Sequence, residues 1–233
     1  MILEYLSKIE LYFSSSVAKD EKSFKLVDEE YKHAIKVMRH KIGDTTYAAD
    51  GNGIIYEGII SVIENKTITA DIVKSYKYKN RLDNITFCIP NLKNPDRFKF
   101  ALEKCVELGI TKFVLFNSER SVSKTFNLDR INKILLSAMK QSLQAYLPKI
   151  EIFDRLEKFV DMIFEKVLFE QNSINKLSDQ KFNSNKEYYF IFGPEGGFSE
   201  NEIAKIKPSL ILNLAENRLR SETAIIKAAS LIS

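Results

Sequence analysis

Apolar and polar positions change their rhythm along the chain. Up to about residue 73 the apolar residues form short runs rich in β-branched and aromatic side chains: Ile9 to Phe13, Thr45 to Ala49, Ile54 to Ile63 and Thr67 to Val73. That composition predicts strands. Asp50-Gly51-Asn52-Gly53 accepts positive φ, so the strands flanking it are expected to pair antiparallel. Between Asp28 and Arg39, Tyr31, Ile35 and Met38 recur at helical spacing and predict one helix. This part reads as a small, mostly β barrel or sandwich.

Beyond a basic stretch at 74–84 the pattern becomes an alternation of strands and helices, the mark of a largely parallel sheet covered by helices. A domain boundary near residue 78 follows, dividing the chain into 1–75 and 76–233. Ile85 to Ile89, Lys112 to Phe116, Ile150 to Phe153, Val167 to Phe169, Tyr188 to Phe192 and Leu210 to Leu214 predict strands. Helices are predicted from about Asp96 to a C-cap at Gly109, over Asp129 to Ser142, near Leu156 to Glu165, from Ser199 onward and over Thr223 to Ile232. Ser199 with Glu202 three residues later forms a capping box. The polar segment from Gln171 to Lys186 predicts an exposed loop or a mobile insertion.

Composition narrows the functional classes. No apolar run approaches the roughly 20 residues that cross a bilayer. Glu4 comes early, with no basic region before an apolar run, so a cytosolic location without a secretory leader is expected. Cys88 and Cys105 lie far apart, outside any C-x-x-C pattern, and are expected to be buried thiols. His33 and His40 are the only histidines and lack neighbouring ligands at metal spacing, so no metal is expected. The net charge of +4 permits a polyanionic partner without requiring one. Lys74, Lys77, Lys79 and Arg81 alternate with Tyr76 and Tyr78, which suits either phosphates and bases or a solvated linker.

The loop Gly193-Pro194-Glu195-Gly196-Gly197 follows an apolar strand and precedes a capped helix, which places it at the carboxyl end of a sheet strand, where α/β sheets bind ligands. Its glycines let the backbone approach a ligand and leave amide N–H groups for it. It is neither a Walker A loop nor a dinucleotide fingerprint. Glu195 would repel phosphates and suits a neutral or cationic nucleoside-type ligand; a plain structural turn is the other reading.

The run Phe192 to Glu202 resembles the I-G-P-E-G-G-F-S-x-x-E signature of the ribosomal small-subunit uridine N3-methyltransferases, the RsmE-type branch of the SPOUT superfamily. Four further segments agree: His33 to Gly53, with H-x-x-x-V-M-R and D-G-x-G; Glu107-Leu108-Gly109 with Glu119-Arg120-Ser121; Gln141-Ser142 with Pro148; and Leu219 to Ala224. Two places depart from the family pattern. Lys140 and Gln144 stand where it usually has an acid and an arginine, and Ala215 stands where it usually has glycine.

The resemblance implies an α/β protein with an N-terminal PUA-like β-barrel that binds RNA and a C-terminal SPOUT methyltransferase domain tied in a trefoil knot, acting as a homodimer on 16S ribosomal RNA or the small ribosomal subunit. It implies S-adenosyl-L-methionine as cofactor, held by Phe169, by Gly193, Pro194, Glu195, Gly196 and Gly197, and by Leu212, Leu214, Leu219 and Arg220. The three leucines serve equally well as plain core. Glu195 can face the sulfonium or the ribose, or cap the following helix. Arg220 is the candidate catalytic cation, stabilising a uracil anion, unless it pairs with Glu222. His33, Arg39, Lys41, Lys93, Arg97 and Arg120 are the candidate RNA contacts. Two other readings keep the cofactor motifs: a SPOUT enzyme acting on another RNA, and an RNA-binding relative that has lost catalysis. A nucleotide-dependent hydrolase or an oxidoreductase would need a phosphate loop or a catalytic triad that is absent.

Overall fold

The computed structural model describes residues 9–18, 22–121, 125–161 and 165–233. Glu4 and residues 162–164 therefore lie outside the described residues. The chain divides into two compact units, one formed by 1–80 with 136–147 and the other by 81–135 with 148–233.

The first unit is built on one six-stranded sheet. Its strands are β1 (Leu11–Phe13), β2 (Ser16–Val17), β3 (Ser23–Leu26), β4 (Thr45–Ala49), β5 (Ile54–Glu64) and β6 (Thr67–Lys77), in the order β1-β4-β5-β6-β3-β2. All neighbours are antiparallel except β1 and β4. The Asp50–Gly53 turn joins β4 to β5 as expected, with Gly51 at φ +75° and Gly53 at φ +107°, values that favour glycine. Tyr12, Phe24, Leu26, Tyr56, Ile60 and Ile68 form the buried core of the unit. Strand β6 continues through Lys77, so 74–77 is sheet and not linker. Tyr76 is buried there and donates to Glu57 Oε2 at 2.8 Å, which leaves the cations of this stretch, and not the Tyr76 ring, facing solvent.

The single helix expected from Asp28 to Arg39 is instead a short α-helix, α1 (Asp28–Lys32), followed by a π-helical turn, His33–Val37. Met38 N–H donates to the His33 carbonyl five residues back at 3.1 Å. The wider turn rotates the following side chains by part of a turn. Ala34 is buried and Tyr31 and Ile35 pack against the core, while Met38, expected on the same face, points outward.

Lys140, one of the departures from the family pattern, has a partner in this unit. Its Nζ lies 2.7 Å from Glu30 Oε1, with both side chains mostly buried, and Glu30 Oε2 has no hydrogen-bond partner among the described residues. Restoring an acid with Lys140→Glu would set two carboxylates against each other. The expected loss is about 2 kcal/mol in denaturant unfolding, recovered by the swapped pair Glu30→Lys/Lys140→Glu. Equal stabilities for wild type and Lys140→Glu would show that the pair contributes nothing.

The second unit holds a parallel sheet of β7 (Ile85–Pro90), β8 (Lys112–Phe116), β9 (Lys149–Phe153), β10 (Glu165–Phe169), β11 (Tyr188–Ile191) and β12 (Leu210–Leu212), in the order β12-β10-β11-β7-β8-β9. All five pairings are parallel. Strand β7 is buried throughout, as a strand covered on both faces requires. The helices are α2 (Pro95–Glu107), α3 (Leu128–Gln141, of which residues from 136 on belong to the first unit), α4 (Glu157–Val160), α5 (Glu200–Ile206) and α6 (Ser221–Ile232). Helix α2 starts on Asn94, whose side chain accepts from the Asp96 and Arg97 amides, with Pro95 in the first turn. It ends in a Schellman arrangement, Gly109 N–H to Val106 O and Ile110 N–H to Cys105 O, with Gly109 at φ +89°.

Two expectations fail locally. The helix expected near Leu156 to Glu165 is the single turn α4, and Glu165 already belongs to β10. The polar segment 171–186 contains a 3-10 turn, Leu177–Asp179, with Leu177 buried, and the Lys176 region bridges in parallel to Asn213. Main-chain bonding to the end of β12 orders a stretch whose composition signals only polarity.

Candidate functional site

Three adjacent strands, β12, β10 and β11, point the same way, so their carboxyl ends release three loops side by side. One leaves β10 after Phe169, one leaves β11 through Phe192 and Gly193, and one leaves β12 after Leu212. Between them lies a cleft of about 720 Å³, within the range of small-molecule sites. Of the residues expected around a cofactor, Phe169, Gly193, Pro194, Glu195, Gly197, Leu214, Leu219 and Arg220 line it. Gly196 and Leu212 do not. Leu212 is fully buried in β12, and Gly196 turns its carbonyl to Arg120.

The cleft floor is aromatic. The rings of Phe169 and Phe192 stack with centroids 4.8 Å apart. Cations stand on its walls at Arg97, Arg218 and Arg220, and carboxylates at Glu170 and Glu195.

The glycine-rich loop is held from outside. Ser199 caps α5 by accepting the Glu202 amide at 3.1 Å, and the Glu202 carboxylate returns the bond to the Ser199 amide at 2.9 Å. The cap is therefore Ser199, not Glu195. The Glu195 carboxylate instead accepts the Lys93 amide at 3.0 Å. The other Glu202 oxygen, on a side chain buried to 1% exposure, accepts the Glu119 amide at 2.9 Å. Next to Glu119, Arg120 Nη1 donates to the Gly196 carbonyl at 2.6 Å. Ser221, at the start of α6, donates to the Gly193 carbonyl at 3.0 Å. Gly197 takes φ +69°, which suits a residue without a side chain.

Glu222 pairs with Arg97, not with Arg220: Arg97 Nε lies 3.5 Å from Glu222 Oε1. Arg220, immediately before α6, has extended backbone at φ −73°, ψ 156° and an exposed side chain. Its guanidinium has no hydrogen bond or ion pair among the described residues. Of the expected RNA contacts, Lys93, Arg97 and Arg120 belong to this unit, whereas His33, Arg39 and Lys41 belong to the first. His33 Nδ1 sits 3.5 Å from Glu10 Oε1, and Arg39 is exposed with φ +58°.

Burial pushes the Cys88 and Cys105 thiols up from their ordinary pKa, with Glu151 adding to the shift at Cys88, so neither is poised as a thiolate nucleophile. Among the described residues no cluster of three metal-ligating side chains is found, and no helix is long and apolar enough to cross a membrane. Sequence reasoning overlooked Asn213, Glu170 and the outward role of Glu202. An asparagine directly after a strand is a turn signal that would have flagged the first.

A family model described as an RNA methyltransferase domain matches residues 79–233, and one described as an RNA methyltransferase PUA domain matches 26–73. The ribosomal RNA small subunit methyltransferase E of Rickettsia conorii is 26% identical over 228 residues, covering 94% of this chain and 92% of that protein. The methyltransferase of the same name from Mesomycoplasma hyopneumoniae is 30% identical over 170 residues, covering 67% of this chain and 73% of that protein. The crystal structure of a ribosomal RNA small subunit methyltransferase E from Neisseria gonorrhoeae bound to S-adenosyl methionine superposes with a TM-score of 0.83 at 26% identity, covering 95% of each chain.

Proposed function

The chain belongs to the ribosomal RNA small subunit methyltransferase E family, and on that premise we propose that it methylates N3 of a uridine in 16S ribosomal RNA with S-adenosylmethionine as the methyl donor. The observation that carries the reading is the convergence of three parallel strand ends on one cleft, with the free guanidinium of Arg220 on its wall.

The cleft suits the donor. Phe169, Phe192, Leu214, Leu219 and Ala224 give apolar walls for an adenine, and the loop amides and carbonyls give edges to read it. Glu170 places a negative charge where a cationic sulfonium or ammonium is favoured. When bound there, S-adenosylmethionine supplies an electrophilic methyl group.

The chain's own residues do the rest. Arg220, on the exposed wall of the cleft, holds the negative charge that develops on the uracil as N3 gives up its proton to solvent. Arg97, aligned by Glu222, and Lys93 hold phosphate or base at the rim. The first unit, with His33, Arg39 and Lys41, binds RNA. The reading includes the 1–75 and 76–233 domains, a homodimer, a cytoplasmic location and a trefoil knot. In support of the knot, β9 lies at one sheet edge and the next strand, β10, near the other.

The test is incubation of the purified protein with tritiated adenosylmethionine and small ribosomal subunits from a strain lacking the enzyme, followed by nucleoside digestion. Label is expected in 3-methyluridine of 16S RNA. Label in another nucleoside or another RNA would assign a different substrate, and protein that binds RNA but no adenosylmethionine would mark a relative without catalysis. RNA affinity should fall with salt at a slope of about −0.7 per phosphate contact on single strands.

A further inference from the structure

We propose that Asn213 is a positioning residue that clamps two of the three cleft loops together before a ligand arrives, an inference that rests on reading the cleft as the adenosylmethionine site. Asn213 directly follows β12 and lies on the cleft wall. Each of its four polar groups makes a bond. Its side-chain NH₂ donates to the Gln171 carbonyl, and its side-chain oxygen accepts the Ala215 amide at 2.7 Å. Its backbone N–H donates to the Asn175 carbonyl at 2.7 Å, and its own carbonyl accepts the Leu177 amide at 3.0 Å. Ser173 Oγ adds a bond to the Ile211 carbonyl at 2.8 Å.

One side chain thus ties the loop after β10 to the loop after β12. The first of these, read from composition alone, is a polar segment with nothing to order it. Gln171 and Asn172 from that loop and Leu214 and Ala215 from the other all face the cleft. Holding both loops in the unliganded protein shifts their ordering from the binding step to folding, which strengthens binding without adding a contact to the ligand. The Asn213 side-chain oxygen accepting the Ala215 amide is an Asx turn, which sets the local backbone through a side chain.

The two side-chain bonds can be separated. Asn213→Ala removes both, whereas Asn213→Asp keeps the acceptor for the Ala215 amide and loses the donor to Gln171. Hydrogen exchange on the unliganded protein is expected to speed up about tenfold over 170–177 and 214–219 in Asn213→Ala, and over 170–177 alone in Asn213→Asp. Calorimetry is expected to show adenosylmethionine bound about tenfold more weakly by Asn213→Ala, with KM for the donor raised in step and kcat at saturation within about twofold. Unchanged exchange in Asn213→Ala overturns the clamp. A fall in kcat without a change in KM overturns the positioning role, because the residue would then act on the chemistry. Wild-type protein that binds no adenosylmethionine overturns the reading of the cleft, while the exchange data still decide whether the clamp exists.

Discussion

Replacing Arg220 with alanine is expected to lower the rate of methylation at saturating donor and RNA by about 100- to 1,000-fold, the effect of removing one preorganised charge from a developing anion. Three observations support a loss of that size. Arg220 lines the cleft at the end of the β12 loop, its backbone is extended, and its guanidinium is unpaired among the described residues. The neighbour that would most simply neutralise it, Glu222, is held by Arg97. The cation is therefore available to a substrate. Arg220→Lys keeps the charge but not the planar fork and should fall between the two. Single-turnover rates measured alongside donor and RNA affinity make the test. Binding of both should stay within a few-fold of wild type, and an Arg220→Ala protein with an undiminished single-turnover rate would remove the residue from the chemistry.

The largest expected effect on stability is at Glu202. Its two carboxylate oxygens accept two backbone amides, Ser199 at the start of α5 and Glu119 in the loop after β8. Truncation to alanine leaves both N–H groups without their partner at a buried position and removes half of the capping box. Bonds to a charged group contribute about 1.5–3 kcal/mol each, less what water regains, so a total loss of about 3 kcal/mol is expected. In a chain of this size that corresponds to a fall of roughly 6–12 °C in Tm. Glu202→Gln keeps one acceptor oxygen and should lose about half as much. The loss should reach the cleft, because the Glu119–Arg120 turn also holds the Gly196 carbonyl, so donor affinity should weaken together with stability. A Glu202→Ala protein that unfolds within about 1 kcal/mol of wild type would mean that the carboxylate acts only as an ordinary helix cap.

The contrast between Glu202 and Asn213 shows where legibility stops. Glu202 was visible as the third residue of a capping box, because that bond joins residues three apart and needs only the local sequence. Its second bond reaches across 83 positions to Glu119 and was not visible. Asn213 falls near the end of the strand expected over Leu210 to Leu214, and its side-chain bond to Gln171, 42 positions away, depends on which strands lie side by side. The same holds for Lys140, which looked like a loss in the family motif and has its partner 110 positions away at Glu30.

By itself the sequence determined the features that arise within a few residues: the turn at Gly51 and Gly53, the caps at Gly109 and Ser199, and most strands of the parallel sheet, because φ preferences, capping bonds and apolar periodicity act over one or two turns of chain. The glycine-rich loop could be recognised for the same reason. Only the tertiary structure decided that β10, β11 and β12 lie side by side so that their loops share a cleft, that Glu222 binds Arg97 and leaves Arg220 free, and that 171–177 is ordered. Each of these depends on hydrogen bonds and charge pairs between residues far apart in the chain, and their free energy is gained only once the sheet has brought those residues together.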